Sequence, residues 1–205
     1  MANTLAYFGF TQYQGGAGGA PTFAQSTRRI ASSNGTAIYT GDPVGFVSAV
    51  NGYIQQAAAG TTPVAGIFVG CKYTSVSQKR TIWSNYWPGS DASGDVEAYV
   101  IDDPNARFIV QTSTTAFPMT GTVSAMGSGV IGQLAQFTIG TGNANTGRSG
   151  AYLSAVGSTA TYPFQIIDYQ ISAGNGGDPT TQYCNVIVGF NNEILRSNGA
   201  VTGIS

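Results

Sequence analysis

The chain is 205 residues long, has no histidine, and carries eight basic and nine acidic side chains for a formal net charge of −1. Charged residues are 8% of it, against roughly 25% in an average soluble domain, so the clustered Lys and Arg needed to bind a phosphate backbone are missing. Without imidazole no Ser–His–Asp or Cys–His centre can exist, and the carboxylates, lysines and thiols that replace it elsewhere are few. The expectation is a protein that is not an enzyme and uses no cofactor or metal.

In chain order, residues 1–35 read as an extended N-terminal arm. Tyr7, Phe8, Phe10 and Tyr13 precede the run Gly15-Gly16-Ala17-Gly18-Gly19, which has no packing side chains and high backbone freedom. Those aromatics need a surface to dock on, either the chain's own body or a neighbouring subunit. The opening stretch has no positive charge ahead of its apolar residues and no continuous apolar core, so no signal peptide is expected.

Residues 36–205 read as a β-rich body. Thr40-Gly41-Asp42-Pro43-Val44 is a turn leading into a strand, and Asn51-Gly52, flanked by Val50, Tyr53 and Ile54, is a strong hairpin signal. Residues 57–60 break the pattern before an apolar run at 64–69. An aromatic-rich loop at 82–91 follows, containing Trp83, Tyr86 and Trp87. It suits a ligand platform, a protein-interface anchor, or a cover for the chain's own core.

Residues 95–101 alternate, with Val96, Ala98 and Val100 on one face and Glu97, Tyr99 and Ile101 on the other. The turn Asp102-Asp103-Pro104-Asn105 then predicts a hairpin to a strand at 107–111. Residues 112–160 form a Gly/Ser/Thr-rich elaboration with an apolar island at 134–139. Strands are expected at 164–171 and 184–190, with a loop at 174–179 between them. No 12-residue window has a helical period, although a short helix near 192–197 is conceivable. No internal repeat marks a solenoid or propeller. The predicted fold is all-β, a β-barrel or β-sandwich of short antiparallel strands with an extended arm.

Several motifs fit turns better than chemistry. Gly127-Ser128-Gly129-Val130-Ile131-Gly132 matches G-x-G-x-x-G, but that pattern holds a pyrophosphate only where it opens a helix, and a strand is expected next. Asp102 with Asp103, and Asp91 near Asp95, could in principle serve glycoside hydrolysis or calcium. Adjacent carboxylates point apart, and Pro104 favours a turn. Asp42-Pro43 and Asp178-Pro179 likewise start turns. The basic pairs Arg28-Arg29 and Lys79-Arg80 suit a solvated turn or an intersubunit ion pair, not nucleic acid. No S-x-x-K motif is present.

No stretch approaches the roughly 20 apolar residues of a membrane span. Cys71 and Cys184 follow no metal spacing, and the expectation is two free, buried thiols, with a single disulfide left open. So little charge leaves a monomer poorly protected against self-association. Much of the surface is therefore expected to be covered by other protein, the alternative being a monomer kept soluble by neutral polar groups.

Four sets of segments carry a family resemblance. They are Met1-Ala2-Asn3-Thr4-Leu5 with Gly9-Phe10; Gly41-Asp42-Pro43-Val44 with Pro63-Val64-Ala65-Gly66-Ile67-Phe68-Val69-Gly70 and Tyr73; Ser84-Asn85-Tyr86-Trp87-Pro88-Gly89 with Val100-Ile101-Asp102-Asp103-Pro104-Asn105 and Phe108; and Val186-Ile187-Val188-Gly189-Phe190-Asn191-Asn192. Together they resemble tailed-phage virion structural proteins, specifically capsid decoration (cement) proteins. The resemblance implies a β-rich protein made in the host cytoplasm and displayed in many copies on the capsid surface of the virion. Its partners would be the major capsid protein and itself, as a homo-oligomer with a trimer favoured, and not nucleic acid or membrane.

No active-site residues come with that resemblance. The candidate capsid or subunit contacts are Tyr7, Phe8, Phe10 and Tyr13, with Arg28 and Arg29 set to pair with acidic capsid residues, and Trp83, Tyr86 and Trp87. The alternatives are a tail tube subunit or head fibre base, a glycan-binding module built on the tryptophan loop, and, last, a carboxylate hydrolase. A major capsid protein would need a long helix and a mixed α/β pattern that this chain lacks.

Overall fold

The structure, a computed structural model, describes residues 3–14, 24–48, 52–60, 62–113, 130–178 and 182–194. Fourteen strands lie among them: β1 (Thr11–Gln14), β2 (Ser26–Ile30), β3 (Ile38–Tyr39), β4 (Pro43–Phe46), β5 (Ile54–Gln56), β6 (Gly66–Thr74), β7 (Thr81–Ser84), β8 (Tyr86–Trp87), β9 (Val96–Ile101), β10 (Arg107–Gln111), β11 (Leu134–Thr138), β12 (Tyr152–Gly157), β13 (Phe164–Tyr169) and β14 (Asn185–Phe190). No helix occurs among the described residues, and the fold is all-β.

The strands form two antiparallel six-stranded sheets and a two-stranded ribbon. The first sheet has the order β1-β10-β14-β13-β11-β12, and the second runs β2-β9-β6-β4-β5, with β7 also paired to β6. Nine-residue β6 is long enough to pair along one edge with β4 at its start and β7 at its end. Both sheets curl. A bridge from Thr112 to Leu153 brings β12 of the first sheet back toward the end of β10, and one from Arg29 to Tyr53 brings the start of β5 toward β2 in the second. Neither curl closes into a barrel, and the architecture is consistent with a β-sandwich.

Each sheet has a core. In the first, the period-2 alternation of strands puts Phe108 and Val110, Val186, Val188 and Phe190, Phe164 and Ile166, and Ala135 and Phe137 into one cluster. In the second, Val96, Ala98 and Val100 join Val44, Ile54 and Phe68, and Ile38 and Trp87 of the β3–β8 ribbon cover them. The cores share strands. Ile67 and Ile101 sit in the first cluster, and their neighbours Phe68 and Val100 sit in the second. Gly66 lets β6 and β9 come together here: at φ 137°, a Cβ would lie 2.5 Å from Val100 Cγ1 and 2.6 Å from the Ile101 carbonyl oxygen.

Residues 95–111 do not form the predicted hairpin. β9 pairs with β2 and β6, whereas β10 pairs with β1 and β14. The Asp102-Asp103-Pro104-Asn105 turn is the crossover between sheets. Asp103 Oδ1 accepts the Asn105 N–H at 2.9 Å and so makes the turn locally, while Asp102 reaches sideways to Ser26 and Arg28. The predicted aromatic loop at 82–91 instead supplies β7 and β8.

Other expectations stand as follows. The hairpin at Asn51-Gly52 joins β4 to β5 and has Gly52 at φ 89°; Val50 and Asn51 lie outside the described residues. Gly132 and Gln133 lead into β11 and not into a helix, whereas residues 127–129 of the glycine pattern lie outside the described residues. So do the Gly15–Gly19 run, residues 114–129 of the glycine-rich elaboration, and positions 195–197 of the conceivable helix; residues 192–194 are not helical.

The N-terminal stretch is laced onto the body. β1 forms one edge of the first sheet and β2 one edge of the second. Ahead of β1, the Ala6 N–H donates to Gln111 Oε1 at 2.9 Å, the Thr4 N–H to Asn175 Oδ1 at 2.7 Å, and Asn3 Nδ2 to the Asp178 carbonyl at 2.7 Å. Gly9, at φ 74°, turns the chain so that the Phe10 N–H bonds the Gly41 carbonyl at 2.9 Å and the Phe10 ring enters the first core.

Candidate binding surface

One face of the second sheet is divided in two. At its Ile67–Ile101 end it packs into the first core, and beyond that end it is open. Residues directly opposite on neighbouring strands share a face. The register Arg29 to Glu97, Glu97 to Lys72, and Lys72 to Trp83 therefore makes a row of four side chains across β2, β9, β6 and β7. The next row holds Thr27, Tyr99 and Gly70.

Lys72 Nζ lies 3.7 Å from Glu97 Oε2 and 5.5 Å from the centre of the Trp83 ring. Both charged side chains are about two-fifths exposed, and such a pair contributes about 0–1 kcal/mol. Trp83 itself is 67% exposed. The Tyr99 hydroxyl donates to Glu97 Oε1 at 3.3 Å; burial first, then the Glu97 charge, raises its pKa.

Beside this row, Thr27, Arg28, Arg29, Gly52 and Tyr53 line a recess of ≈ 310 Å³ where β5 returns toward β2. Of its two arginines, Arg28 is charge-paired and Arg29 lies against the Tyr53 hydroxyl. Arg28 donates to Asp102 at 2.5 Å and lies over the Phe46 ring at 5.8 Å, and the Tyr53 hydroxyl donates to Asp95 at 2.5 Å. At the β6–β7 tip, Asp91 accepts from the Ser75 hydroxyl at 2.7 Å and the Ser77 N–H at 3.0 Å. These bonds hold its carboxyl below the ordinary range.

Among the residues singled out from sequence, the structure separates core from surface. Phe10 is 2% exposed and Trp87 fully buried, with Trp87 Nε1 donating to the Asn34 carbonyl at 3.1 Å. These two are core residues and not contact anchors. Tyr7 is half-buried and stacks on Tyr152 at 4.0 Å; burial, then the neighbouring Tyr152 and Tyr183, pushes its hydroxyl up to about 12. Phe8 is also half-buried. Tyr86 stacks on Tyr39 at 5.4 Å. Tyr13, Arg29 and Trp83 remain exposed.

Of the nine, Arg29 and Trp83 share the outer face of the second sheet, and Arg28 lies behind it. Sequence reasoning missed Lys72, Glu97 and Tyr99, which only the cross-strand register brings to Trp83. It also missed Leu5 and Ile171, both exposed, on two segments tied by the Thr4–Asn175 bond.

Cys71 and Cys184 are free and buried, one in each core; burial pushes Cys71 up to about 12 and Cys184 up to about 11. Among the described residues, no group of three His, Cys, Asp or Glu is placed to hold a metal ion. No helix among them is long and apolar enough to cross a membrane. In comparisons with protein-family models, curated proteins and solved structures, nothing matches this chain.

Proposed function

We propose that the protein is a capsid decoration (cement) protein that binds the outer surface of a phage head and bridges neighbouring capsomers. The observation that carries this reading is exposed apolar surface on a body of very low charge. Leu5, Tyr13, Val76, Trp83, Ile131 and Ile171 all stand in solvent although the chain has 8% charged residues. Clustered exposed apolar groups mark protein contacts, and Leu5 and Ile171 lie on two segments joined by the Thr4–Asn175 hydrogen bond. The resemblance of the segments quoted above to cement proteins supports the same reading.

The work of such a protein is thermodynamic. A ligand that binds only the expanded lattice stabilises it by RT ln(1 + [L]/Kd), about 2.7 kcal/mol per site at a hundredfold excess over Kd. The N-terminal junction, with Leu5, the partly covered Tyr7 and Phe8, Tyr13 and nearby Ile171, is the capsid-facing surface in this proposal. An all-β body with its N-terminal stretch laced down suits a clamp laid across a seam.

The test is cosedimentation of the purified protein with expanded empty heads of the phage that carries it, followed by melting of the decorated heads. Binding together with a raised melting temperature is expected. A protein that ignores heads and polymerises into rings or tubes would be a tail subunit. One that ignores heads and binds an immobilised glycan panel, with loss on Trp83→Ala, would be a carbohydrate-binding module.

A further inference from the structure

We infer that the open face of the second sheet binds a neutral, hexose-containing glycan, with one sugar ring stacked on Trp83 and the chain running across the strands toward the recess at Tyr53. Trp83 carries the argument. It is 67% exposed and yet held at two points, with Lys72 Nζ 5.5 Å from the ring centre and the Tyr99 hydroxyl against its side chain. Lys72 covers one face of the indole, so the other is a fixed apolar platform open to solvent. A ring already held in place loses little freedom when a ligand settles on it. A pyranose presents C–H groups on its face and hydroxyls around its rim. It therefore needs an aromatic plane beneath it and polar partners beside it. The rows Arg29–Glu97–Lys72–Trp83 and Thr27–Tyr99–Gly70 supply those donors and acceptors and contain no aliphatic side chain.

The polar band runs on to the edge of the sheet. Four adjacent strands about 4.8 Å apart put Arg29 roughly 14 Å from Trp83, the span of a short oligosaccharide. Beyond Arg29 lies the recess of ≈ 310 Å³, at the small end of the range for ligand pockets and so suited to a terminal ring. Thr27, Arg29 and Tyr53 offer hydroxyl and guanidinium groups there. Gly52 leaves its rim open, with no atom within 4 Å of the place a Cβ would take. The charges decide the ligand class. Lys72 is paired with Glu97 and Arg28 with Asp102, while the Tyr53 hydroxyl donates to Asp95 and has Arg29 against it. An acidic sugar would meet carboxylates as readily as cations, whereas a neutral one meets only hydrogen-bonding groups. A protein partner fits this face less well. Lys and Glu are depleted from the centres of protein contacts, and covering the Lys72–Glu97 pair with apolar groups would remove its water without replacement. Sugar hydroxyls donate and accept, so they take the place of that water group for group. The inference stands on the free protein and does not depend on a virion role.

The chain has two tryptophans, and Trp87 is fully buried while Trp83 is exposed, so quenching of indole fluorescence by acrylamide reads Trp83. The experiment is that quenching on the full-length chain, titrated with gluco-, galacto- and manno-oligosaccharides and with sialylated and uronic-acid oligosaccharides as acidic counterparts. At least one neutral series is expected to protect Trp83 saturably, and to the same degree at low and high salt. Calorimetry with that ligand then compares variants. Trp83→Ala is expected to weaken binding about tenfold or more, and Arg29→Ala, which removes a hydrogen-bonding group at the recess, roughly two- to tenfold. Thermal melts show whether each variant remains folded. Protection by no neutral oligosaccharide, binding confined to acidic ligands and lost in salt, or an affinity unchanged in Trp83→Ala would each overturn the inference. Head cosedimentation is a separate readout, which Trp83→Ala is expected to leave unchanged because the capsid-facing surface proposed above lies at the N-terminal junction. Failure of one proposal therefore leaves the other standing.

Discussion

The two sheets of this protein are built differently inside. The first core is a stack of phenylalanines: Phe10 lies 4.4 Å from Phe164, Phe164 lies 5.7 Å from Phe190, and Phe190 lies 5.2 Å from Phe108. The second core is mainly aliphatic, with Phe68, Tyr73 and Trp87 as its buried aromatic side chains. Polar groups lie along its margin, with Asp42 buried at the start of β4 and the Arg28–Asp102 pair at the β2 edge. The first sheet holds the fold together by dense aromatic packing. The second spends its outer surface on charge and an exposed indole. Both cores stabilise the fold; the sheets divide the surface, the charged row lying on the second and exposed Tyr13 on the first, and the shared strands β6 and β9 make the chain answer as one unit.

Phe164→Ala is the strongest test of that coupling. It opens a cavity where three rings meet, and full burial of a phenyl group predicts a loss of about 3–5 kcal/mol, read by chemical denaturation. Phe68→Ala, in the second core, should lower the same single transition, because Phe68 sits next to Ile67 of the first core on β6. Two resolved transitions, each moved by only one of the substitutions, would break the coupling of the sheets.

Asp42 comes next. Its carboxylate accepts the Tyr39 N–H at 2.8 Å, Gln56 Nε2 at 2.7 Å and the Ser149 hydroxyl at 2.5 Å, tying β3, β5 and the turn before β12 to the start of β4. Asp42→Ala leaves those donors buried without an acceptor and should cost about 1–3 kcal/mol. The pH dependence has a definite sign. Burial is the largest influence on this carboxyl and raises its pKa above 3.8, against the lowering by its hydrogen bonds. The folded state therefore binds the proton more tightly than the unfolded state. The contribution of this group to stability is fullest below 3.8 and declines as pH rises through the raised value. The stability of the wild type minus that of Asp42→Asn should fall across that window; a difference that rises there would show that hydrogen bonding outweighs desolvation.

Much of this division was legible in the sequence, and the reasons differ element by element. The alternation of residues 96–101, the apolar runs that became β11, β13 and β14, and the Asn51-Gly52 hairpin depend on local periodicity and turn chemistry, so they could be read directly. The partner of β9 could not. Asp102-Asp103-Pro104-Asn105 makes the same turn whether the chain doubles back or crosses between sheets, and only long-range packing of Ile101 and Phe108 decides. β2 carries Arg28 and Arg29 with little apolar signal, and its pairing comes from the edge of β9. The binding face was half visible: Trp83 and Arg29 stood out by residue type, while Lys72 and Glu97 join them through register. Trp83 and Trp87 are indistinguishable by composition. Their fates part because Trp87 pairs opposite Ile38 over the second core, and Trp83 pairs opposite Lys72 on the open face.

That contrast predicts a small effect. Trp83→Ala should change the unfolding free energy of the monomer by no more than about 0.5 kcal/mol, as for an exposed residue outside any core, whereas Trp87→Ala should cost about 3–5 kcal/mol. Denaturation in dilute solution separates the two. A large loss at Trp83 would mean that the indole braces β7 against β6 and is structural, not a contact group.

The smallest expected difference is none at all, and it is the sharpest measure of how far the sheets are coupled. Cys71 sits in the second core and Cys184 in the first, 1% and 0% exposed. The thiolate is the reactive form, and burial raises both thiols, to about 12 and about 11, so a thiol reagent at neutral pH reaches neither until the structure opens. Opening of the second core requires β6 and β9 to move. Those strands carry Ile67 and Ile101 into the first core, so exposing Cys71 uncovers the packing around Phe108 as well. Both cysteines should therefore label at indistinguishable rates set by one opening event, followed by mass spectrometry of peptides over time. Faster labelling of Cys71 would show that the second sheet opens alone. The shared strands would then act as a hinge between two units, and the laced N-terminal stretch, whose Phe10 belongs to the first core while its partner Gly41 bonds Phe68 of β6, would be what limits the motion.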